Sequence, residues 1–174
     1  MTLRHEVCFK VPIHLQFLDR AEIYHSPLDD NAKTMLENDF IHICPDVGKE
    51  GVPLEIEGRF IETVRCGEGV VWFDFIDICD GPRGIADYIA ISKQYQTVLL
   101  ANIPIMDDYA NDIAKRFITL IDEFYDRNVK LIITAEAEPN GLYLGARLSE
   151  SFRRTISRLE EMRTHDYLAK QHLP

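Results

Sequence analysis

Two continuous apolar runs, Thr97 to Pro104 (TVLLANIP) and Lys130 to Ala135 (KLIITA), constrain this chain more than any other feature. A strand with one wet face alternates apolar and polar residues. A run without alternation has to be covered on both faces, which is the condition of strands inside a parallel sheet. Between the runs, Ala110, Ile113, Ala114, Phe117, Leu120, Ile121 and Phe124 recur at steps of three and four. That spacing predicts one helix with a single apolar face, and Asn128 is placed to end it. Strand, helix and strand joined by one crossover form a βαβ unit, with parallel strands and a right-handed connection.

Around this unit the pattern is more varied. Val7, Phe9, Val11, Ile13, Leu15 and Phe17 alternate with polar or small neighbours, predicting one or two strands before about Tyr24. Ser26-Pro27-Leu28-Asp29 predicts a helix start, with Ser26 as N-cap, Pro27 at the first helical position and Asp29 at the third. Leu28, Ala32, Met35, Leu36 and Phe40 give that helix its apolar face. From Leu54 to Cys79 the chain is rich in β-branched and aromatic residues, punctuated by Gly58 and by Gly67-Glu68-Gly69, and reads as an antiparallel hairpin or meander. Asp80-Gly81-Pro82 stops it and opens a short helix carrying Ile85, Tyr88 and Ile89 on one side. A last helix is expected from about Ser149 to Leu168, burying Phe152, Ile156, Leu159 and Met162, with Arg147, Arg153, Arg154, Arg158 and Arg163 as a basic edge. The expected fold is mixed α/β: a hairpin or meander, then a βαβ unit, then a C-terminal helix. It occupies one domain over residues 1–174, with a β-rich half at 18–80 and the βαβ unit plus terminal helix at 81–174.

Charge narrows the choice of partner. The 174 residues carry 19 Lys plus Arg against 29 Asp plus Glu, a formal net charge of -10, which repels phosphate backbones and acidic membrane surfaces. Nucleic acid is therefore not expected, and a protein partner is. Cys8, Cys44, Cys66 and Cys79 form no C-x-x-C pair and are too few for a disulfide framework, so reduced, mostly buried thiols are expected. No apolar run approaches the roughly 18 residues that span a bilayer, and the first residues lack a signal-peptide core. Those features fit a cytoplasmic protein, or one of an organelle matrix.

Catalytic constellations are missing from the sequence. A phosphate-binding loop needs glycines that turn successive amides toward the phosphate, then a Lys and a Ser or Thr for charge and Mg²⁺. The glycines around Gly67 and Gly81 fit turns and lack the lysine. The acidic pair Asp122-Glu123 falls within a predicted helix, not at a strand end, and is expected to be solvated. His5, His14, His25, His42, His165 and His172 include no H-x-x-x-H pair and none has zinc-ligand spacing to a cysteine. Ser92 and Ser157 lie in predicted helices without a strand-to-helix elbow. No catalytic and no metal-binding residue is assigned. Arg154 and Arg158, four apart on one helix face, are suited to a phosphate or a carboxylate-rich partner, or to pairing with local acids such as Glu150 and Glu161.

Long segments carry a further signal. IYHSPLDD (Ile23 to Asp30), CDGPRGIADYIAISKQYQTVLLANIPIM (Cys79 to Met106), AKRFITLIDEFYDRNVKLIITAEAEPNGLY (Ala114 to Tyr143) and FRRTISRLEEMRTHDYLAKQH (Phe152 to His172) resemble, in order, the C-terminal portion of the ZapE or AFG-one-like family of AAA+ P-loop ATPases. The resemblance covers nearly everything after about residue 18. It implies a parent protein that binds and hydrolyses ATP with Mg, a cell-division factor in bacteria and a quality-control factor in mitochondria. The family's N-terminal ATPase core, with its phosphate loop, acidic strand end and first sensor, has no counterpart here. These residues alone are thus expected to contact that core, other protomers or a protein partner and not to turn over ATP. The resemblance also implies that Arg154 and Arg158 are nucleotide-sensing or inter-subunit arginines.

The apolar strand, amphipathic helix and apolar strand ending Thr134-Ala135-Glu136, followed by Pro139 and Leu142-Tyr143, look like a second, degenerate copy of a P-loop core segment. Asn102 stands where the catalytic acid of such a copy would be, and an amide cannot act as a carboxylate base. The alternative reading is a free-standing interaction module without nucleotide chemistry. An upstream reading frame containing G-x-x-x-x-G-K-[ST] would decide for the ATPase.

Overall fold

The computed structural model describes Leu18 and residues 22–174. The strands expected over Val7 to Phe17 lie outside the described residues. Strands β1 (Tyr24–His25), β2 (Lys49–Glu50), β5 (Arg65–Gly67), β6 (Val70–Asp74), β7 (Thr97–Ile103) and β8 (Lys130–Ala135) form one sheet in the order β1-β8-β7-β6-β5-β2. Strands β3 (Leu54–Ile56) and β4 (Arg59–Ile61) form a separate hairpin. The helices are α1 (Asp30–Ile43), α2 (Phe75–Cys79), α3 (Ile85–Gln94), α4 (Asn111–Asp126), α5 (Ser149–Met162) and α6 (His165–Leu168). None of the described helices is long and apolar enough to cross a membrane.

The centre of the sheet is parallel. β7 pairs with β6 on one side and with β8 on the other, and β1 extends the parallel set beyond β8. β8 is buried at every position, as an unbroken apolar run requires. Side chains alternate across the sheet. Val71, Phe73, Val98, Leu100, Leu131 and Ile133 face the larger core under α3, α4 and α5, while Val70, Trp72, Leu99 and Ile132 meet Leu36, Phe40 and Ile43 of α1 on the other side. α4 presents Ala114, Phe117, Leu120, Ile121 and Phe124 to the first core, all with no exposed surface. Each large side chain so buried stabilises the fold by about 1.5–3 kcal/mol. Asn128 ends the helix in the left-handed region at φ 57°.

Local signals misplace several boundaries. The N-cap of α1 is Asp29, whose carboxylate accepts the Asn31 amide, because the Ser26 hydroxyl instead donates to Glu138 at 2.7 Å. The expected meander ends at Asp74, and FIDIC is a helix. The Asp74 carboxylate accepts the Ile76 amide and caps that turn. Among the described residues only β5–β6 and β3–β4 are hairpins, and β6 pairs in parallel with β7. On α3 the buried residues are Asp87, Tyr88, Ile91 and Ser92, and Ile85 is exposed. The expected last helix breaks at Thr164, whose hydroxyl accepts the Tyr167 amide and starts α6 afresh.

The chain end is tied to the sheet by Lys130. Its ammonium donates to the carbonyls of Asn128 at 2.9 Å, Tyr167 at 3.2 Å and Lys170 at 2.6 Å. Burial, then Lys170, pushes its pKa down to about 8.

Candidate functional site

Arg154 and Arg158 project from α5 toward α4, and the loop before α5 fixes where that helix starts. Asp107 caps the single turn of 3-10 helix at Asp108–Ala110. The Asp108 carboxylate accepts the amides of Ala146 and Arg147, which hold it below the usual carboxylate range. The Tyr143 hydroxyl lies 2.7 Å from the Asn111 side-chain oxygen and accepts the Leu148 amide. Phe152 then stacks on Tyr143 at 5.2 Å and meets Phe117 at 6.1 Å.

The two arginines converge on one carboxylate. Arg154 donates to Asp122 Oδ2 at 2.8 Å, and Arg158 donates to Asp122 Oδ1 and reaches Asp126 at 4.0 Å. Asp122 is therefore a half-buried bridge between α4 and α5 and not the solvated residue expected. Glu150 and Glu161 pair with neither arginine; Glu161 accepts the Tyr125 hydroxyl at 2.6 Å and pairs with Lys170 at 3.3 Å. The hydrogen bond to Glu161 raises the Tyr125 pKa. Arg158 lies over the Tyr125 ring at 4.8 Å, which restricts it, while the Arg154 side chain is 60% exposed. A guanidinium at once anchored and exposed can exchange its carboxylate for a phosphate or an acidic side chain with little rearrangement.

A second region lies at the carboxyl ends of β6 and β7, where parallel sheets commonly hold ligands. A hollow of about 310 Å³ is lined there by Asp74, Phe75, Ile76, Asp80, Asn102, Pro104 and Ile113. It continues past Asp80 and Ile113 into a second hollow that includes Tyr109, Asp112 and Arg116. Asn102, in the left-handed region at φ 63°, donates its side-chain amide to Asp74 at 2.6 Å. Reading Leu54 to Cys79 as one hairpin or meander passes over Asp74, which ends the strand. Four apolar residues followed by Asp were the available signal for a carboxylate at a parallel strand's end.

The remaining candidates occupy ordinary positions. Ser92 donates to Ile89 O and Ser157 to Arg153 O, both within helices. Among the described residues no group of three or more His, Cys, Asp or Glu comes together as a metal site. Cys44 and Cys79 are buried and Cys66 is half-buried, all three free, and Cys8 lies outside the described residues.

Comparison with known proteins adds a family. A sequence model described as AFG1-like ATPase matches residues 9–171. Cell division protein ZapE of Escherichia coli (strain K12) is 34% identical over 163 residues, covering 94% of this chain and 44% of the relative. Lactation elevated protein 1 homolog B of Danio rerio is 28% identical over 177 residues, covering 83% of this chain and 35% of the relative. The chain spans less than half the length of these curated relatives. No solved structure gives a significant match.

Proposed function

The chain belongs to the AFG1-like ATPase family, and from that premise we propose that it acts as the C-terminal, non-catalytic region of a ZapE-like ATPase, serving subunit or partner contacts for ATP-driven work in cell division. ATP and Mg then bind in the preceding core, whose phosphate loop these 174 residues lack. In this reading Arg154 and Arg158 sense nucleotide or contact a neighbouring protomer.

The observation that carries the assignment of those residues is the sharing of one carboxylate. Among the described residues Arg154 has Asp122 as its only ion-pair partner, and Asp122 is already engaged by Arg158. An incoming γ-phosphate or acidic side chain therefore competes for Arg154 against half a partner, with Arg158 and the Tyr125 ring preserving the local geometry.

Replacing Arg154 with Ala in the full-length ATPase is the test. ATP turnover or oligomerisation is expected to fall by about tenfold or more, a modest fraction of what transition-state arginines supply. Unchanged turnover and unchanged assembly would remove the assignment.

A further inference from the structure

The carboxylates around the hollow at the ends of β6 and β7 outnumber the cations there, which among the described residues are Arg116 in the adjoining hollow and Arg83 beside Asp77. Among the described residues Asp74, Asp77, Asp80 and Asp112 take part in no ion pair, and burial, then Asp74 and Glu62, push the Asp77 carboxyl above its ordinary range against the opposing pull of Arg83. Apolar side chains stand exposed beside them: Tyr109 is 100% exposed and Ile76 is 60% exposed. Between these two the floor is Phe75, Pro104 and Ile113. Large exposed apolar groups over a concave floor, bordered by an excess of negative charge, are the makings of an interface.

We propose that this trough docks a separate protein through a short basic segment bearing one large apolar side chain. The apolar side chain sits between Ile76 and Tyr109 against Phe75, and flanking Lys or Arg residues face Asp74, Asp80 and Asp112. Tyr109 is held on a turn capped by Asp107 and anchored by Asp108, so docking orders little that is not already ordered. Charge selects against a second copy in this role. The trough repels another acidic chain, and the exposed face of α5, although basic, carries no large exposed apolar side chain. Leu18 and Ile23, ahead of the first strand, pack with α1 on the opposite face from Phe75.

The inference rests on reading the chain as a contact module and names the partner's chemistry. It involves neither arginine and no nucleotide, so its failure and that of the Arg154 test are separable. The probe is a fluorescent lysine-rich peptide with one central Leu, titrated into the 174-residue chain. Saturable binding is expected, with amide shifts at Ile76, Tyr109 and Ile113. Affinity should fall about tenfold in Tyr109→Ser, in Asp80→Asn with Asp112→Asn, and for the peptide with Leu replaced by Ser. Equal binding of the Leu-less peptide, or shifts confined to other surfaces, would overturn the proposal. Self-association abolished by Tyr109→Ser would assign the trough to a second copy, and peptide binding blocked in the longer ATPase would assign it to the preceding core; either also overturns it.

Discussion

Asp122 and Asp77 are both half-buried carboxylates on helices that flank the same core, yet their surroundings are opposite. Asp122 sits on the α4–α5 seam with two guanidinium groups on it, whereas Asp77 sits on α2 near Asp74 and Glu62, with Arg83 opposing them but no ion pair among the described residues. The formal net charge of -10 is thus unevenly answered. Where a carboxylate joins two helices, the chain supplies its counter-charge internally. At the strand ends Arg83 and Arg116 answer it only in part, and the residual negative field is left to steer something else.

An aromatic chain links the two regions. Phe75, on the trough floor, meets Phe117 at 5.7 Å, and Phe117 meets Phe152 of the arginine-bearing helix. Phe117→Ala is therefore the change that breaks both sides of the comparison together. With no exposed surface at Phe117, its truncation should cost about 3–5 kcal/mol in chemical denaturation, a transfer loss plus an unfilled cavity. If the contrast between the regions were only a surface matter, amide spectra of the folded variant would be unchanged at the α5 arginines and at the trough.

Legibility in the sequence follows the same division. β7, α4 and β8 could be read because unbroken apolar runs and a helical stripe are dictated by burial on known faces, and both strands proved parallel and adjacent. β6 was concealed by its neighbours, since Val70 to Cys79 is apolar apart from Asp74 and Asp77, and only the capping by Asp74 separates strand from helix. The positions of Arg154 and Arg158 on one helix face were readable from their spacing. Their partner was not, because Asp122 is 32 residues from Arg154 and is brought there by the packing of α4 on α5. The trough was unreadable for a related reason: Ile76, Pro104 and Ile113 come from three elements that only the sheet assembles.

A milder change sharpens the comparison on the arginine side. Asp122→Asn removes the shared counter-charge while preserving shape, and Arg154 and Arg158 then repel each other across one helical turn. Because Arg154 is largely exposed, the loss should be no more than about 1 kcal/mol at low salt and should shrink as salt is added. Urea titrations at two ionic strengths check this. A larger, salt-independent loss would mean that Asp122 acts through packing and not through charge.

On the trough side the expected sign reverses. The folded-state pKa of Asp77 is raised, first by burial and then by Asp74 and Glu62, so the folded chain holds that proton more tightly than the unfolded chain does. The stability this contributes is present below the unfolded-state pKa of about 3.9 and is lost as pH rises through the raised folded value. At neutral pH the ionised Asp77 is therefore a cost, and Asp77→Asn should raise stability by a few tenths of a kcal/mol, roughly 0.5 at most for a half-exposed group. The gain should disappear on acidification toward pH 4, where the wild-type carboxyl is itself being neutralised. Asp122→Asn should do the opposite at neutral pH. Paired urea titrations at neutral and acidic pH would separate the two residues, and a destabilised Asp77→Asn at pH 7 would mean that the attraction of Arg83 outweighs burial and the neighbouring carboxylates.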